Sequence, residues 1–399
     1  MQNEATPIIP RPSFISGIKD ILQTILSLAM IAGITTVLYL YTSGYRLQND
    51  NNTTIDLTKT GMVNAKSNPE SANVYLDGKL ITVTNDAIAG VTPGKHALKI
   101  SKKGFVDWSK NIEVFPELVT DMTAVLISQS PKLEPLTNTG ARNPIISSTL
   151  SKLVYFSEDI NEPGIYIIPL SGVNINLFRS NPNLVIKDTK VTKYSEGKSI
   201  EWSPDELNLL VEGVNNIFYL VDLEKNTAQT TASPEKVRQT WQQILTDKRR
   251  SMMIKLEVID DTKKLALSDK AVWAPDDKKF LYPLTVDGKI QYKVYNLEKP
   301  LPIGEKSENI VFETNSVDPQ PKFSWYPDSF HLIITEGNPD VDKVGIISLI
   351  RIDGTNKTEI YNNTLFSDTV YSTRDGDKVI ISTSFKSGNQ TDLYTIGIR

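Results

Sequence analysis

Cysteine is absent from the chain, and histidine occurs only twice, at His96 and His331. No disulfide, thiolate nucleophile or thiolate metal site can therefore be built, and two histidines make multi-histidine centres poor candidates. A basic excess is missing too: 43 Lys+Arg stand against 47 Asp+Glu, a formal net charge of −4. Such a chain has no surplus cation to release counterions from a phosphate backbone, so nucleic acid is not an expected partner. The usual catalytic signatures are also lacking. The nearest run to a G-x-S-x-G elbow, Gly197-Lys198-Ser199-Ile200-Glu201, has no final glycine, and no H-E-x-x-H, G-x-x-x-x-G-K-[ST] or G-x-G-x-x-G occurs. The carboxylate pairs Asp205/Glu206, Asp260/Asp261, Asp276/Asp277 and Asp340/Asp342 fall in turn-like contexts. Asp340-Val341-Asp342-Lys343 lacks the later Gly and Glu of a calcium loop and reads as a solvated turn. His96 reads as a turn-edge residue and His331 as a strand residue in Phe330-His331-Leu332, in different domains. The expectation is therefore a protein that is not an enzyme, with no catalytic residue, cofactor or metal ligand to assign. Its ligand-binding residues stay unassigned.

One long apolar run exists. No charge occurs from Ile21 to Tyr45, and the 21 residues from Ile21 to Tyr41 are mostly Leu, Ile, Ala and Val. At 1.5 Å per residue they reach roughly 30 Å, the thickness of a bilayer core. Tyr39, Tyr41 and Tyr45 stand where interfacial aromatics belong. A cleaved signal peptide would have a shorter core, about 7–15 residues, and a small-x-small site after it. The sequence instead continues Tyr41-Thr42-Ser43-Gly44-Tyr45, so residues 21–45 read as an uncleaved anchor behind an N-terminal tail, 1–20. Arg11 and Lys19 on one side balance Arg46 and Lys59 on the other, so charge does not set the orientation. Residues 46–60, polar and rich in Asn and Thr, read as a tether.

Residues 61–128 alternate in short bursts separated by Asn68-Pro69, Asp77-Gly78, Pro93-Gly94 and Lys103-Gly104. Asp77-Gly78 between apolar strands is a hairpin signal, because a type I′ turn needs positive φ at both central residues. Ser67-Asn68-Pro69-Glu70-Ser71-Ala72, Val74-Tyr75-Leu76-Asp77-Gly78-Lys79, Val91-Thr92-Pro93-Gly94-Lys95-His96 and Lys103-Gly104-Phe105-Val106-Asp107-Trp108 together resemble the PEGA domain. Ser71 departs from it, standing where that motif has Gly. The resemblance implies a small β-sandwich-like binding or spacer module outside the cytoplasm, without catalytic activity.

From about residue 129 to 399 one pattern repeats. Ile200-Glu201-Trp202-Ser203-Pro204-Asp205, Val272-Trp273-Ala274-Pro275-Asp276 and Phe323-Ser324-Trp325-Tyr326-Pro327-Asp328 each run into an apolar strand. Two weaker copies, 148–156 and 372–382, keep the turn and the strand without Trp-x-Pro. Pro-Asp makes the turn, and the Trp is a wide apolar wedge suited to packing between sheets. The pattern resembles the TolB-like, WD-type β-propeller family, with Glu206, Asp277 and Ser329 where that family usually has Gly. The fold class expected is therefore mainly β: a transmembrane helix, the PEGA-like module, then a propeller of five detectable blades with room for a sixth. A multi-sheet β-sandwich is the alternative.

Successive Trp residues lie 71 and 52 residues apart. Ser233-Pro234-Glu235 followed by Val237, Trp241, Ile244, Leu245, Met252 and Leu256 near helical spacing explains the longer interval as one inserted helix, 234–256. Its apolar face is expected on the propeller; the alternative has it dock a partner, or has Lys248, Arg249 and Arg250 touch anionic lipid. Outer strands are expected at 174–180, 227–232, near 302–308 and at 357–363. The last unit lacks one, and residues 131–138 are expected to supply it by pairing with the C-terminal strand. The function expected is non-covalent: a single-pass membrane protein displaying both modules outside the cytoplasm and recognising protein or glycan at the cell envelope. A propeller-scaffolded hydrolase or hydrolase subunit, and a structural surface-layer spacer, are the rivals.

Overall fold

The computed structural model describes residues 14–49, 55–170, 182–385 and 390–399. Helix α1, Phe14–Thr42, contains the apolar run; its segment Ile21–Thr42 is long and apolar enough to cross a membrane, and none of it is buried against the rest of the chain. The polar segment after it differs from the tether expectation. Its two ends, Tyr45–Asn49 and Ile55–Lys59, pair as an antiparallel hairpin in which Leu47 faces Leu57. The chain thus travels out and returns to the helix end, where Gly44 O accepts Thr60 N at 3.0 Å.

The next module is a sandwich of a three-stranded and a four-stranded sheet. Strand Gly61–Asn68 alternates buried and partly exposed residues, as a strand with one face on a core must. Val63, Ala65, Val74, Leu98, Ile100, Trp108 and Ile112 fill the space between the sheets. Asp77 (φ 50°) and Gly78 (φ 79°) form the expected hairpin turn, with Leu76 paired to Lys79. Ser71, in the glycine position, takes φ 59°.

Five four-stranded antiparallel sheets follow. The first is Arg142–Ile146, Lys152–Ser157, Gly164–Pro169 and Asn183–Lys187. Core clusters join the first sheet to the second, the third to the fourth, the fourth to the fifth, and the fifth back to the first. Helix α2, Pro234–Lys255, bridges the remaining junction. Its Arg238 grips Glu201 of the second sheet at 2.7 Å, and its Lys248 reaches Asp277 beside the third at 2.6 Å. The array is propeller-like, and its last sheet is completed as the sequence suggested. Lys132–Pro135 pairs with Asp392–Gly397, putting a strand from before the first sheet on the outer edge of the fifth.

Every sheet opens with the same turn. The residue two positions before the second strand has positive φ in all five: Leu150, Glu206, Asp277, Ser329 and Gly376, between 55° and 66°. The N–H of that same residue donates back three residues, as Glu206 N does to Ser203 O at 3.0 Å and Gly376 N to Thr373 O at 3.0 Å. Only the fifth copy uses glycine, and three of the other four side chains make polar contacts. The Glu206 carboxylate accepts from Ser148 Oγ, Thr149 N and Thr149 Oγ1 of the preceding sheet at 2.7–2.8 Å. Burial opposes its ionisation, but those hydrogen bonds outweigh burial and hold it below the usual glutamate range. Asp277 binds Lys248, and Ser329 Oγ accepts from Asp276 N.

This reverses the usual expectation for glycine in a left-handed turn. Glu206→Gly relieves backbone strain yet leaves the Ser148 and Thr149 donors without their acceptor, so it should destabilise by about 1–3 kcal/mol. Gly376→Ala should also destabilise, because a Cβ there would overlap the Tyr326 hydroxyl, which donates to Gly376 O at 2.5 Å. Urea denaturation of the two variants checks this; a more stable Glu206→Gly protein would show that the latch is dispensable.

The Trp wedges divide by neighbour. Trp202 Nε1 donates to Ile145 O at 3.2 Å and Trp325 Nε1 to Val272 O at 2.9 Å, each reaching the inner strand of the preceding sheet. Trp273 instead bonds Ala266 O at 2.9 Å in a second helix, α3 (Asp260–Ala266), and carries Arg249 over its ring at 4.8 Å. The insertion is therefore two helices, where the sequence suggested one. Its packing residues also differ: Met253 is fully buried beside Phe280 and Tyr282, while Ile244 is half exposed. Two outer strands lie elsewhere than expected. The fourth strand of the first sheet is Asn183–Lys187, the expected 174–180 lying outside the described residues, and that of the third sheet is Glu308–Asn315. The outer strands Thr227–Thr231 and Thr358–Thr364 lie where expected.

Candidate functional site

The inner strands of the first, second and fifth sheets begin around a mouth, a concavity of about 570 Å³. Arg142, Asn143, Pro144 and Ile145 of the first sheet form one wall, Lys198 and Ser199 of the second another, and Phe366, Ser367, Thr369 and Tyr371 of the fifth the third. Hydrogen bonds set each wall. Asn143, at φ 48°, donates from Nδ2 to Lys198 O at 2.7 Å, and Tyr371 Oη donates to Pro144 O at 3.1 Å, tying three sheets together at the rim. Burial pushes the Tyr371 hydroxyl above its ordinary pKa, so it remains a neutral donor. Arg142 donates to Ser195 O at 2.5 Å and pairs with Glu158 at 2.9 Å; Lys198 Nζ bonds Asn216 Oδ1 at 2.7 Å. Among the described residues the lining offers cations, amides, hydroxyls and two aromatic rings, with no carboxylate. Glu158 lies in an adjoining hollow of about 380 Å³ with Thr139, Gln390 and Thr391.

A second polar cluster lies where the sandwich module meets the third and fourth sheets. Lys110 Nζ sits 2.8 Å from Asp353 and 3.6 Å from Glu305; Arg351 pairs with Asp353 at 2.5 Å and also with Glu305. All four side chains are at most 15% exposed. Burial opposes ionisation of Asp353, but the Arg351 and Lys110 charges overcome it and hold the carboxyl far below the aspartate range. The junction is extended by Ser109 N, which donates to Asn356 Oδ1 at 3.1 Å, and by Ser128 N, which donates to Ile398 O at 2.8 Å. Its chemistry is cohesive, since each charge is spent on another.

The residues singled out in the sequence are used structurally. His96 Nδ1 lies 2.7 Å from Asp77 and Nε2 2.8 Å from Thr92 O, in strand Gly94–Ser101. His331 is buried in the fourth sheet, with Nδ1 2.7 Å from Asp328, a carboxylate that hydrogen bonds and the imidazole keep ionised against burial. Asp205 accepts from Ser203 Oγ at 2.5 Å, Asp276 holds the fully buried Lys279 at 2.8 Å, and Asp260 and Asp261 pair with Lys263 and Lys264 along α3. Asp340 and Asp342 fall in a single helical turn, α4 (Pro339–Asp342). In the cluster on α2, Lys248 is paired with Asp277, Arg249 lies on Trp273 and Arg250 is 3.5 Å from Asp247. Among the described residues no group of three His, Asp or Glu is placed to hold a metal. The junction cluster and the mouth are what sequence reasoning missed.

Residues 60–129 match the PEGA domain family. Among curated proteins none is detectably similar in sequence. The solved structures to which the chain is similar include TolB from Acinetobacter baumannii (13% identity, 76% of this chain and 60% of that one, TM-score 0.25). The chain thus spans less than two thirds of that TolB's length. Also similar are the WD40 repeats of RRP9 (9% identity, 68% of this chain and 99% of that one, TM-score 0.30). An oligogalacturonate lyase from Vibrio parahaemolyticus matches at 9% identity over 68% of this chain and 94% of that one, TM-score 0.27.

Proposed function

We propose that this chain is a single-pass membrane protein which holds a PEGA module and a propeller-like array outside the cytoplasm and recognises protein or glycan there without covalent chemistry. The observation that carries the reading is the mouth, a 570 Å³ concavity with Phe366, Tyr371, Asn143 and Lys198 on its walls. Aromatic faces, amides and hydroxyls suit sugar rings or an extended peptide, the kind of ligand held by apolar contact with a few oriented polar groups. The apolar helix supports anchoring, and the PEGA match supports the extracytoplasmic side.

The absence of cysteine makes a direct test possible. A Thr369→Cys protein in its native membrane should react with a membrane-impermeant maleimide photo-crosslinker on intact cells, and illumination should then give a discrete adduct. A Val317→Cys protein, altered at a residue 89% exposed outside the mouth, should label but give no such adduct. Labelling of both only after lysis would overturn the orientation. Labelling without a mouth-specific adduct would overturn the recognition.

A further inference from the structure

The loop between the last two strands of the sandwich module, Trp108–Val114 and Val119–Val125, is an exposed apolar run: Phe115 is 37% exposed, Leu118 44% and Val119 43%. Val119 holds the outward phase of its strand, whose Thr120, Met122 and Ala124 are buried. The loop's position is set by a short chain of hydrogen bonds from the end of α1. Gly44, two residues beyond the helix, presents its carbonyl to Thr60 N at 3.0 Å and Thr60 Oγ1 at 2.7 Å. Thr60 O in turn accepts Glu117 N at 3.0 Å, and Leu118 O accepts Met62 N at 3.0 Å. The one charge in the loop, Glu117, is paired with Lys59 at 2.7 Å. Gly61 admits this approach, because a Cβ there would overlap Phe115 O and Val114 Cγ1.

Around the same point stand the groups that mark a membrane interface. Arg46 folds back over the Tyr41 ring at 4.0 Å and donates to Tyr41 O at 2.8 Å, and Lys59 lies over Tyr45 at 5.3 Å. The apolar surface does not stop at the loop. Val119 opens onto a groove of about 640 Å³ floored by Leu256, Leu297, Leu301 and Ile303, with Asp121 and Glu298 among its charged rim.

We propose that residues 115–119 are an interfacial anchor. Phe115, Leu118 and Val119 lie in the headgroup–acyl boundary of the bilayer that α1 crosses, so the sandwich module is seated on the membrane rather than held away from it. The inference rests on the reading of α1 as a membrane span. Its occupant is the lipid surface, because the patch is continuous with the helix exit and Glu117, the one carboxylate among residues 115–119, is neutralised within the fold. Apolar side chains bind such a surface by burying area, and Arg46 at the helix exit is the cation placed to meet anionic headgroups. The seat fixes the orientation of everything beyond it, since the ion cluster at Lys110 joins the module to the array.

Single-cysteine spin labelling of the full chain in phosphatidylglycerol/phosphatidylethanolamine nanodiscs tests this without background thiols. Labels at Leu28→Cys, Leu118→Cys and Val317→Cys are compared for collision with oxygen and with a soluble nickel chelate. The Leu28 label should show the hydrocarbon profile and the Val317 label the aqueous one. The Leu118 label should lose several-fold of its nickel accessibility relative to Val317, and a Phe115→Cys label should do the same. Nickel accessibility at positions 115 and 118 equal to that at 317, with position 28 in hydrocarbon, would overturn the proposal while the anchor stands. An aqueous profile at position 28 would overturn the membrane span and the proposal with it.

Discussion

Asp353→Ala is expected to lower stability by about 3–5 kcal/mol, because it leaves a buried cation in excess. The junction cluster balances two cations, Lys110 and Arg351, against two carboxylates, Glu305 and Asp353, all nearly out of solvent. Removing one carboxylate strips Lys110 of its partner at 2.8 Å and leaves Arg351 with Glu305 alone. The double variant Lys110→Met/Asp353→Leu restores neutrality and keeps the Arg351–Glu305 pair, so it should recover most of the loss. Calorimetry of the three proteins decides the point: a double variant as unstable as the single one would show that shape, not charge balance, holds the modules. The pH dependence follows from the depressed Asp353 pKa. Its contribution is complete above the ordinary aspartate value, about 4, and is lost as pH falls from there toward the folded-state value. The parent melting temperature should therefore fall more steeply below pH 4 than that of Asp353→Asn.

That cluster was illegible in the sequence for a physical reason. Lys110 falls on the same side of Trp108–Val114 as the buried Trp108, Ile112 and Val114, where alternation gives a lysine no partner; only the carboxylates of a second module pair it. Its partners, Glu305 and Asp353, lie 195 and 243 residues away and carry no motif. The repeat was legible because each sheet re-uses one local device, a turn with a left-handed residue before an apolar strand, and local devices leave local signatures. Leu150, Glu206, Asp277 and Ser329 hid the device only by standing where glycine is usual. Outer strands were harder. Glu308–Asn315 has a single buried residue, Val311, so its alternation is weak and its start was placed too early. The hairpin after α1 was missed because Leu47 and Leu57 are isolated among polar residues, and composition outweighed pairing. The mouth was missed because its walls come from strand beginnings in three separate sheets, which no linear pattern brings together.

Closure of the array should carry the second large effect. Replacing Lys132–Pro135 by Gly-Ser-Gly-Ser preserves chain length but removes the side chains that hold this strand on the fifth sheet. Lys132 faces Gly397 and Pro135 faces Tyr394, Glu134 pairs with Lys378 at 2.9 Å, and just beyond, Thr137 Oγ1 donates to Asp392 at 3.0 Å. Without the outer strand, Asp392–Gly397 becomes an exposed edge, and the sheet falls to three strands, one of them only two residues long. The consequence is long-range in sequence but local in space. Amide exchange should accelerate by orders of magnitude in Lys378–Thr383 and Asp392–Gly397, while the second sheet, which shares no core cluster with the fifth, keeps its protection. The first and fourth sheets share core clusters with the fifth and should lose protection to a smaller degree. A uniform rise in exchange across all five sheets would mean that the array unfolds as one cooperative unit. Unchanged protection at 378–383 would mean that the pairing of the first and last segments contributes nothing to holding the ring shut.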